Sequence, residues 1–181
     1  CVISQTGFSG ESGYEIYLRN ATLYADDMWD AVLEAGKKHN LMVIAPAHHR
    51  RIQAGILSWG QDLDHEHNPF QCNLGYQVSL SGKGEWEKKG DYIGKQALEK
   101  MKADLKDGHK PYKLQLVGFE IGGKPIDEYA PDFWLVSPGD GGDPCGFITS
   151  PWYHPEKGKN IAMGYIPFDG TLNPNGFPKW E

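Results

Sequence analysis

A glycine-bracketed turn that leads into an extended segment constrains the fold of this chain more than any other feature. Residues 7–17 read GFSGESGYEIY, with glycine at positions 7, 10 and 13. Glycine lets the backbone bend or adopt a positive φ where other residues are strained. Residues 14–18 then alternate as an extended segment does. The pattern therefore predicts a tight turn followed by a strand.

Two carboxylates belong to this segment, Glu11 in the turn and Glu15 on the predicted strand. An ionised carboxylate offers two coplanar hydrogen-bond acceptors. These suit a planar partner with two adjacent N–H donors, such as a guanidinium or the amino and ring N–H edge of a pterin. Exposed Glu is common, however. Taken alone, the residues favour a hairpin whose acidic side chains are merely solvated.

The composition narrows the class of protein. The 181 residues are 39% hydrophobic and 23% charged, as in soluble globular proteins. A net charge of -6 argues against a nucleic-acid partner, and no apolar run approaches the roughly 20 residues that span a bilayer. The three cysteines are too few and too widely spaced for a disulfide framework. We therefore expect a cytoplasmic protein.

Hydrophobic periodicity predicts an α+β fold. In the first half it predicts strands over residues 2–5, 14–18, 41–44 and 74–80, and helices over residues 23–38 and 46–58. In the second half it predicts a helix whose core face carries Ala97, Leu98 and Met101. Four β-prone runs follow, over residues 114–121, 133–137, 146–149 and 161–165. Such short runs, separated by Gly, Pro and Asp clusters, suggest a small barrel or sandwich.

Other constellations of reactive side chains carry weaker signals. The histidines and acids lack an HExxH motif or a complete calcium loop, so no metal site is predicted. That set comprises His48, His49, Asp62, Asp64, His65, Glu66 and His67. Ser150 and His154 lack a GxSxG elbow, and Pro151 follows the serine directly, so this pair is interpreted as turn chemistry. The aromatic side chains, including Trp59, are more often core or interface residues than a ligand cage.

Four motifs, in order, resemble the glycine cleavage T-protein (aminomethyltransferase) family. They read GFSGESGYEIY, RIQAGILSWGQDLDHEHNPFQCNLGYQV, GDYIGKQAL and GFITSPWYHPEKGKNIAMGYIP. The resemblance spans nearly the whole chain and is to the C-terminal half of such a protein. It implies the end of a folate-binding core in residues 1–90. A linker helix and a small C-terminal β-barrel would occupy residues 91–181.

The resemblance also implies a cofactor and its binding residues. Glu15 occupies the position of the family's glutamate that hydrogen-bonds the pterin of tetrahydrofolate, and Phe8 occupies a commonly aromatic position near the folate. Trp59 is a third candidate for cofactor binding. The acidic residue near the reactive nitrogen belongs to the family's N-terminal portion, so no catalytic residue is assigned here. The implied activity is transfer of a one-carbon group from a small-molecule methyl or aminomethyl donor.

One departure from the family bears on the donor. Ala47 and His48 stand where members of the cleavage system have an Arg-Asp pair. The run DLDHEHNPFQCNLGYQV is instead similar to the demethylase branch, which includes dimethylsulfoniopropionate demethylase. We therefore expect a demethylase-like, tetrahydrofolate-dependent transferase. The alternatives are a non-catalytic folate-binding protein, acting as a sensor or assembly factor, and a purely structural remnant of the core and barrel.

The chain begins at Cys1, without an initiator Met and directly at the strand predicted over residues 2–5, and the tail after Thr171 lacks the further strand that we expect there. Both observations suggest truncation. Apolar surface would then be exposed, and we expect self-association.

Overall fold

The computed structural model describes residues 1–80, 90–129, 133–139 and 141–170. It divides into two compact units, Cys1–Ile56 and Leu57–Glu181. Helices and antiparallel strands are both present, which confirms the predicted α+β class. The domain boundary expected at residue 90 is a separate matter and stays a prediction.

The first unit combines a two-stranded sheet with two helices. In the sheet, Ser4 lies opposite Glu15 and Val2 lies opposite Tyr17. The helix predicted over residues 23–38 is present and is followed by a short 3-10 helix. The elements are β1 (Val2–Ser4), β2 (Glu15–Tyr17), α1 (Ala21–Gly36), the 3-10 helix Lys37–His39, and α2 (His48–Gln53).

The second helix is shorter than predicted because a glycine cap ends it early. The amide of Gly55 bonds the carbonyl of Ile52, and the amide of Ile56 bonds the carbonyl of Arg51. Gly55 has a φ of 69°. This pair of bonds around a left-handed glycine is a Schellman motif, which stops a helix. The helix therefore stops before Gly55, and the prediction that it continues to residue 58 is wrong.

The strand predicted at residues 41–44 is also wrong. Residues 41–47 have no regular secondary structure. Their side chains have strand-like composition, but a strand also needs a neighbouring strand to bond its backbone groups. Within the ranges that the structure describes, β1 and β2 pair only with each other. The apolar composition of residues 41–44 was therefore not sufficient to predict a strand.

The second unit contains a four-stranded antiparallel sheet and one α-helix. The strand order is β3-β6-β5-β4. All four predicted β-prone runs are strands, although the third and fourth extend further than predicted. The elements are α3 (Lys95–Lys106), β3 (Leu114–Ile121), β4 (Trp134–Val136), β5 (Gly146–His154) and β6 (Lys159–Pro167).

The sheet is open among the described residues, with β3 and β4 at its edges. The predicted closed barrel is therefore not confirmed. The strand predicted at residues 74–80 is wrong, since Gly75–Gln77 form a 3-10 helix. The amides of Gln77 and Val78 bond carbonyls three residues earlier. These local bonds replace the cross-strand bonds that an extended segment would make.

An apolar cluster packs α3 against the segments that flank the sheet. Its members are the buried side chains Phe70, Leu105, Tyr112 and Phe168, with Val78, Leu80, Leu98 and Met101 packed around them. Leu98 and Met101 were predicted to face the core, and they do. Ala97 is exposed, and Leu105 takes the buried position one turn after Met101. The helical spacing was correct but the centre of the apolar face was misplaced.

A buried carboxylate joins the segment before α3 to the sheet. Asp62 is 1% exposed. Its Oδ2 accepts the Ser58 amide at 2.8 Å, and its Oδ1 accepts the Thr149 and Ser150 hydroxyls, each at 2.5 Å. Neighbouring residues of a strand normally point to opposite faces. A bulge between Ile148 and Ser150 lets both hydroxyls reach one oxygen.

Ser150 and His154 accordingly lie in β5, and interpreting the pair as turn chemistry is wrong for Ser150. Its hydroxyl serves the buried Asp62. His154 is the last residue of β5, and its Nδ1 accepts the Lys157 amide at 3.3 Å across the turn to β6. For His154, this bond across the turn agrees with the interpretation as turn chemistry.

We expect Asp62→Asn to lower the free energy of unfolding by about 2–3 kcal/mol, because an amide nitrogen would replace a carboxylate oxygen that accepts hydrogen bonds in this buried site. Urea denaturation measures the change. Asp107→Asn, an exposed change just after α3, is the control and should leave stability nearly unaltered. Equal stability of the two variants would contradict the anchoring role.

A second prediction concerns the close approach of β5 and β6. A Cβ added at Gly164 would lie 2.4 Å from the carbonyl oxygen of Phe147, which cannot move without disturbing the sheet. Gly164→Ala should therefore destabilise the protein by about 1–3 kcal/mol. Gly122→Ala is the matched control, since a Cβ there meets no atom within 4 Å. Thermal unfolding of both variants checks the difference.

Candidate functional site

The Glu15 carboxylate is held by hydroxyl groups of its own sheet. Glu15 is the first residue of β2 and is half-buried. Its Oε2 accepts hydrogen bonds from the Thr6 hydroxyl and, at 3.1 Å, from the Tyr17 hydroxyl. No residue that the structure describes donates to Oε1. The carboxylate is thus oriented through one oxygen while the other can accept a further donor.

The glycine-bracketed turn packs directly on α2. A Cβ at Gly10 would lie 2.4 Å from the Cβ of Ala54, and Gly10 has a φ of 78°. Only glycine meets both requirements without strain. Beside this contact, Arg50 Nη1 lies 3.1 Å from Glu11 Oε1. Glu11 therefore pairs with the helix, whereas Glu15 lies on the strand that follows the turn.

Arg51 connects α2 to Phe8. Its guanidinium carbon lies 5.6 Å from the centre of the Phe8 ring, within cation–π range. Arg51 is 2% exposed, and its Nη1 donates to the Ile56 carbonyl at 3.1 Å. Its Nε lies 3.5 Å from His48 Nδ1. Burial and the charge of Arg51 lower the pKa of His48, which favours a neutral imidazole at pH 7.

A cleft of about 350 Å³ opens beside these side chains. Its size lies at the lower end of the range for small-molecule sites. Ala47 and His48, the two positions that depart from the family pattern, both belong to its wall. The lining comprises Phe8, Ser9, Ile44, Ala45, Pro46, Ala47, His48, Arg50 and Arg51.

The three predicted cofactor-binding residues have different environments. Phe8 lines the cleft, and Glu15 lies on β2 outside the cleft lining. Trp59 belongs to the second unit, where it is 62% exposed and meets His65 edge-on with ring centres 4.9 Å apart. No observation tests their roles, which stay predictions.

Sequence reasoning missed Arg50 and Arg51 as site residues. Both follow Pro46 closely in a short helix, and adjacent arginines point to different sides of a helix. The structure buries Arg51 beside Ile52, while Arg50 is exposed. Two adjacent arginines do not by themselves show which one is buried, and the family motif directed attention to Ala47 and His48 instead.

Several of the histidine and acidic residues that were considered as metal ligands make other contacts. Asp62 forms the buried anchor, and His67 Nδ1 lies 2.7 Å from Asp64 Oδ1. Among the described residues, no group of three or more His, Cys, Asp or Glu is arranged to hold a metal ion. Nor does any helix in this part of the chain have the length and apolarity needed to cross a membrane.

Comparisons with known proteins agree with the family resemblance that the four motifs indicate. Residues 1–82 match the family described as the GCVT N-terminal domain. An aminomethyltransferase of Caldanaerobacter subterraneus subsp. tengcongensis is 31% identical over 92% of this chain, and one of Symbiobacterium thermophilum is 33% identical over 92%. In each case the match covers 40% of the relative. The chain thus spans about two fifths of the length of these curated relatives.

A solved structure shares the fold. The glycine cleavage system aminomethyltransferase T from Bartonella henselae aligns with a TM-score of 0.66 and 24% identity, over 91% of this chain and 41% of that one. This likeness supports the α+β architecture. Together, the domain match and the aminomethyltransferase relatives support a relationship of this chain to the glycine cleavage T-protein family, which is a family of transferase enzymes.

Proposed function

We propose that this chain is part of a tetrahydrofolate-dependent one-carbon transferase in which Glu15 binds the pterin. The carrying observation is the Glu15 carboxylate, which is fixed on β2 through Oε2 and has Oε1 available as an acceptor. The aminomethyltransferase relatives support the same class of reaction. Phe8, which lines the cleft, is proposed to pack against the folate, with Trp59 as a further contact.

The carboxylate of Glu15 is chemically suited to the cofactor. A pterin edge carries N–H donors, and a carboxylate that still has an acceptor oxygen is their natural partner. Tetrahydrofolate, when bound, supplies N5 as the nucleophile that accepts the one-carbon group. Glu15 would orient that cofactor rather than remove a proton. The protein's contribution would be alignment, which can supply a large part of the rate.

The donor is proposed to be a methyl compound rather than an aminomethyl carrier. The cleft wall has a methyl group at Ala47 and an imidazole at His48, where the cleavage-system pattern has arginine and aspartate. A donor that is selected through a salt bridge to that arginine would lose its partner here. This difference supports the demethylase-like subtype.

We also propose that the folate-binding core ends near residue 90, that the C-terminal strands form a closed barrel, and that the protein is cytoplasmic.

A non-catalytic folate-binding protein, such as a sensor or assembly factor, is the second candidate, and the replaced arginine favours it as well. Turnover distinguishes the two. Formation of methyl- or methylene-tetrahydrofolate from any donor in a panel of sulfonium, amine and aryl ether compounds supports the enzyme. Saturable folate binding without product from any donor supports the binding protein.

Substitution of Glu15 tests the cofactor site. Glu15→Gln should weaken tetrahydrofolate binding by about 1.5–3 kcal/mol, because the neutral amide loses a charge-assisted hydrogen bond. Anaerobic calorimetric titration of the chain measures the change. Glu34→Gln, which alters an exposed glutamate of α1, is the control and should bind like the unsubstituted chain. Equal affinity of all three proteins would contradict a pterin contact at Glu15.

Self-association is a further prediction. Helix α1 has no buried residue, and Leu23, Trp29 and Val32 are exposed on it. Burial of such apolar surface is favourable, so the apparent mass should rise with protein concentration. Light scattering over a concentration series measures this. The double change Leu23→Ser with Trp29→Ser should reduce the rise, and a constant monomer mass for the unsubstituted chain would contradict the prediction.

A further inference from the structure

We infer that Thr6 and Tyr17 are positioning residues for the cofactor, acting by holding Oε2 of Glu15 so that Oε1 receives the pterin. The inference rests on the proposed function and adds to it. It concerns two hydroxyl groups, one just before the glycine-bracketed motif and one at its end, to which the sequence analysis assigned no role. Both bond the same carboxylate oxygen, which is the observation that carries it.

The sheet register places the two hydroxyls beside Glu15. Tyr17 follows Glu15 by two residues in β2, and side chains at that spacing lie on the same face of a strand. Ser4 lies opposite Glu15 in β1, and Thr6 comes two residues after Ser4. The hydroxyls therefore come from two separate stretches of chain. Rotation of the carboxylate would have to break bonds to both.

Hydrogen-bond counting assigns the remaining oxygen to the ligand. A carboxylate has about four acceptor sites, two on each oxygen. The Thr6 and Tyr17 hydroxyls account for two donors to Oε2. A pterin that contacted both oxygens would have to displace one of these hydroxyls. Binding at Oε1 leaves both protein bonds intact, so the bidentate contact that the sequence suggested becomes a contact centred on Oε1.

The bonds to Thr6 and Tyr17 reduce the conformational entropy that Glu15 would lose on ligand binding. A glutamate side chain has several rotatable bonds, and fixing them on ligand binding costs conformational entropy. The two hydroxyl bonds fix the carboxylate before the ligand arrives. Preorganisation of this kind improves affinity without adding a contact to the ligand. Removing either hydroxyl should therefore weaken tetrahydrofolate binding even though neither group touches the cofactor.

The test compares Thr6→Val and Tyr17→Phe, which remove each hydroxyl with little change in shape, by anaerobic calorimetric titration with tetrahydrofolate. Each is expected to weaken binding about 3- to 10-fold, the usual range for loss of one hydrogen bond. Thr6→Ser keeps a hydroxyl and should restore most of the affinity. Tyr14→Phe is the matched control, because within the described ranges the Tyr14 hydroxyl makes no hydrogen bond and the ring is 69% exposed.

A double-mutant cycle separates positioning from a general structural effect. In the Glu15→Gln background, Thr6→Val and Tyr17→Phe should cause less than about a 2-fold further loss, because coupled residues are not additive. Thermal unfolding of every variant shows whether the fold is retained. A full additional loss in the Glu15→Gln background, or unchanged affinity of both single variants, would overturn the positioning role.

Failure of the proposed function gives a different result. If Glu15→Gln binds tetrahydrofolate as tightly as the unsubstituted chain, or if the unsubstituted chain does not bind it, the folate site itself is contradicted for this chain. If Glu15→Gln weakens binding while Thr6→Val and Tyr17→Phe do not, only the positioning role is lost. The expected pattern is loss in all three single variants with strong coupling among them.

Discussion

The second unit depends on one buried carboxylate. Asp62 accepts donors from its own segment and from β5, while its carbonyl accepts the Tyr165 hydroxyl of β6 at 2.6 Å. A charge can be buried at tolerable cost only where hydrogen bonds replace water, and here every described bond to the carboxylate comes from a donor. The segment that starts at Leu57 is therefore fixed to two strands at a single point.

Neighbouring contacts add to this anchor. Asn73 donates to the Leu116 carbonyl at 2.7 Å, and Gln115 donates to the Gln71 carbonyl at 2.8 Å. Cys72 packs its thiol 3.3 Å from the Tyr165 hydroxyl, and burial raises the pKa of that thiol. Irregular backbone carries unpaired polar groups, so burying it requires partners of this kind. Polar bonds, rather than secondary structure, hold residues 58–73 on the sheet.

The sequence predicted the sheet and helices well where the pattern was periodic and the partners were local. The run over residues 114–121 became β3 with the same bounds, and α1 lies within two residues of its predicted ends. Failures occurred where tertiary context decided. Residues 41–44 found no partner strand, and residues 74–80 formed local turns. Neither outcome can be derived from apolar content, which only says that a segment suits burial.

The candidate site, like the fold, was predictable from local sequence only in part. The resemblance of the glycine-bracketed motif to the T-protein family singled out Glu15 as a candidate, whereas the residue types alone favoured a solvated acid in a hairpin. The motif could not reveal that Thr6 and Tyr17 bond the same oxygen, since that depends on the register between β1 and β2. Register is set by pairing across the sheet rather than by either strand alone.

The cleft wall includes Ala47 and His48, the two positions that the sequence analysis interprets as departing from the cleavage-system pattern. Arg50 lies 3.1 Å from Glu11, and Arg51 donates to the Ile56 carbonyl, so both guanidinium groups beside the cleft already have protein partners. The lowered pKa of His48 favours its neutral form. Exchange of arginine and aspartate for alanine and a neutral histidine leaves the formal charge of the pair at zero while removing both of its charged groups. Recognition of a donor in this cleft would then depend on shape and apolar contact more than on a salt bridge at these two positions.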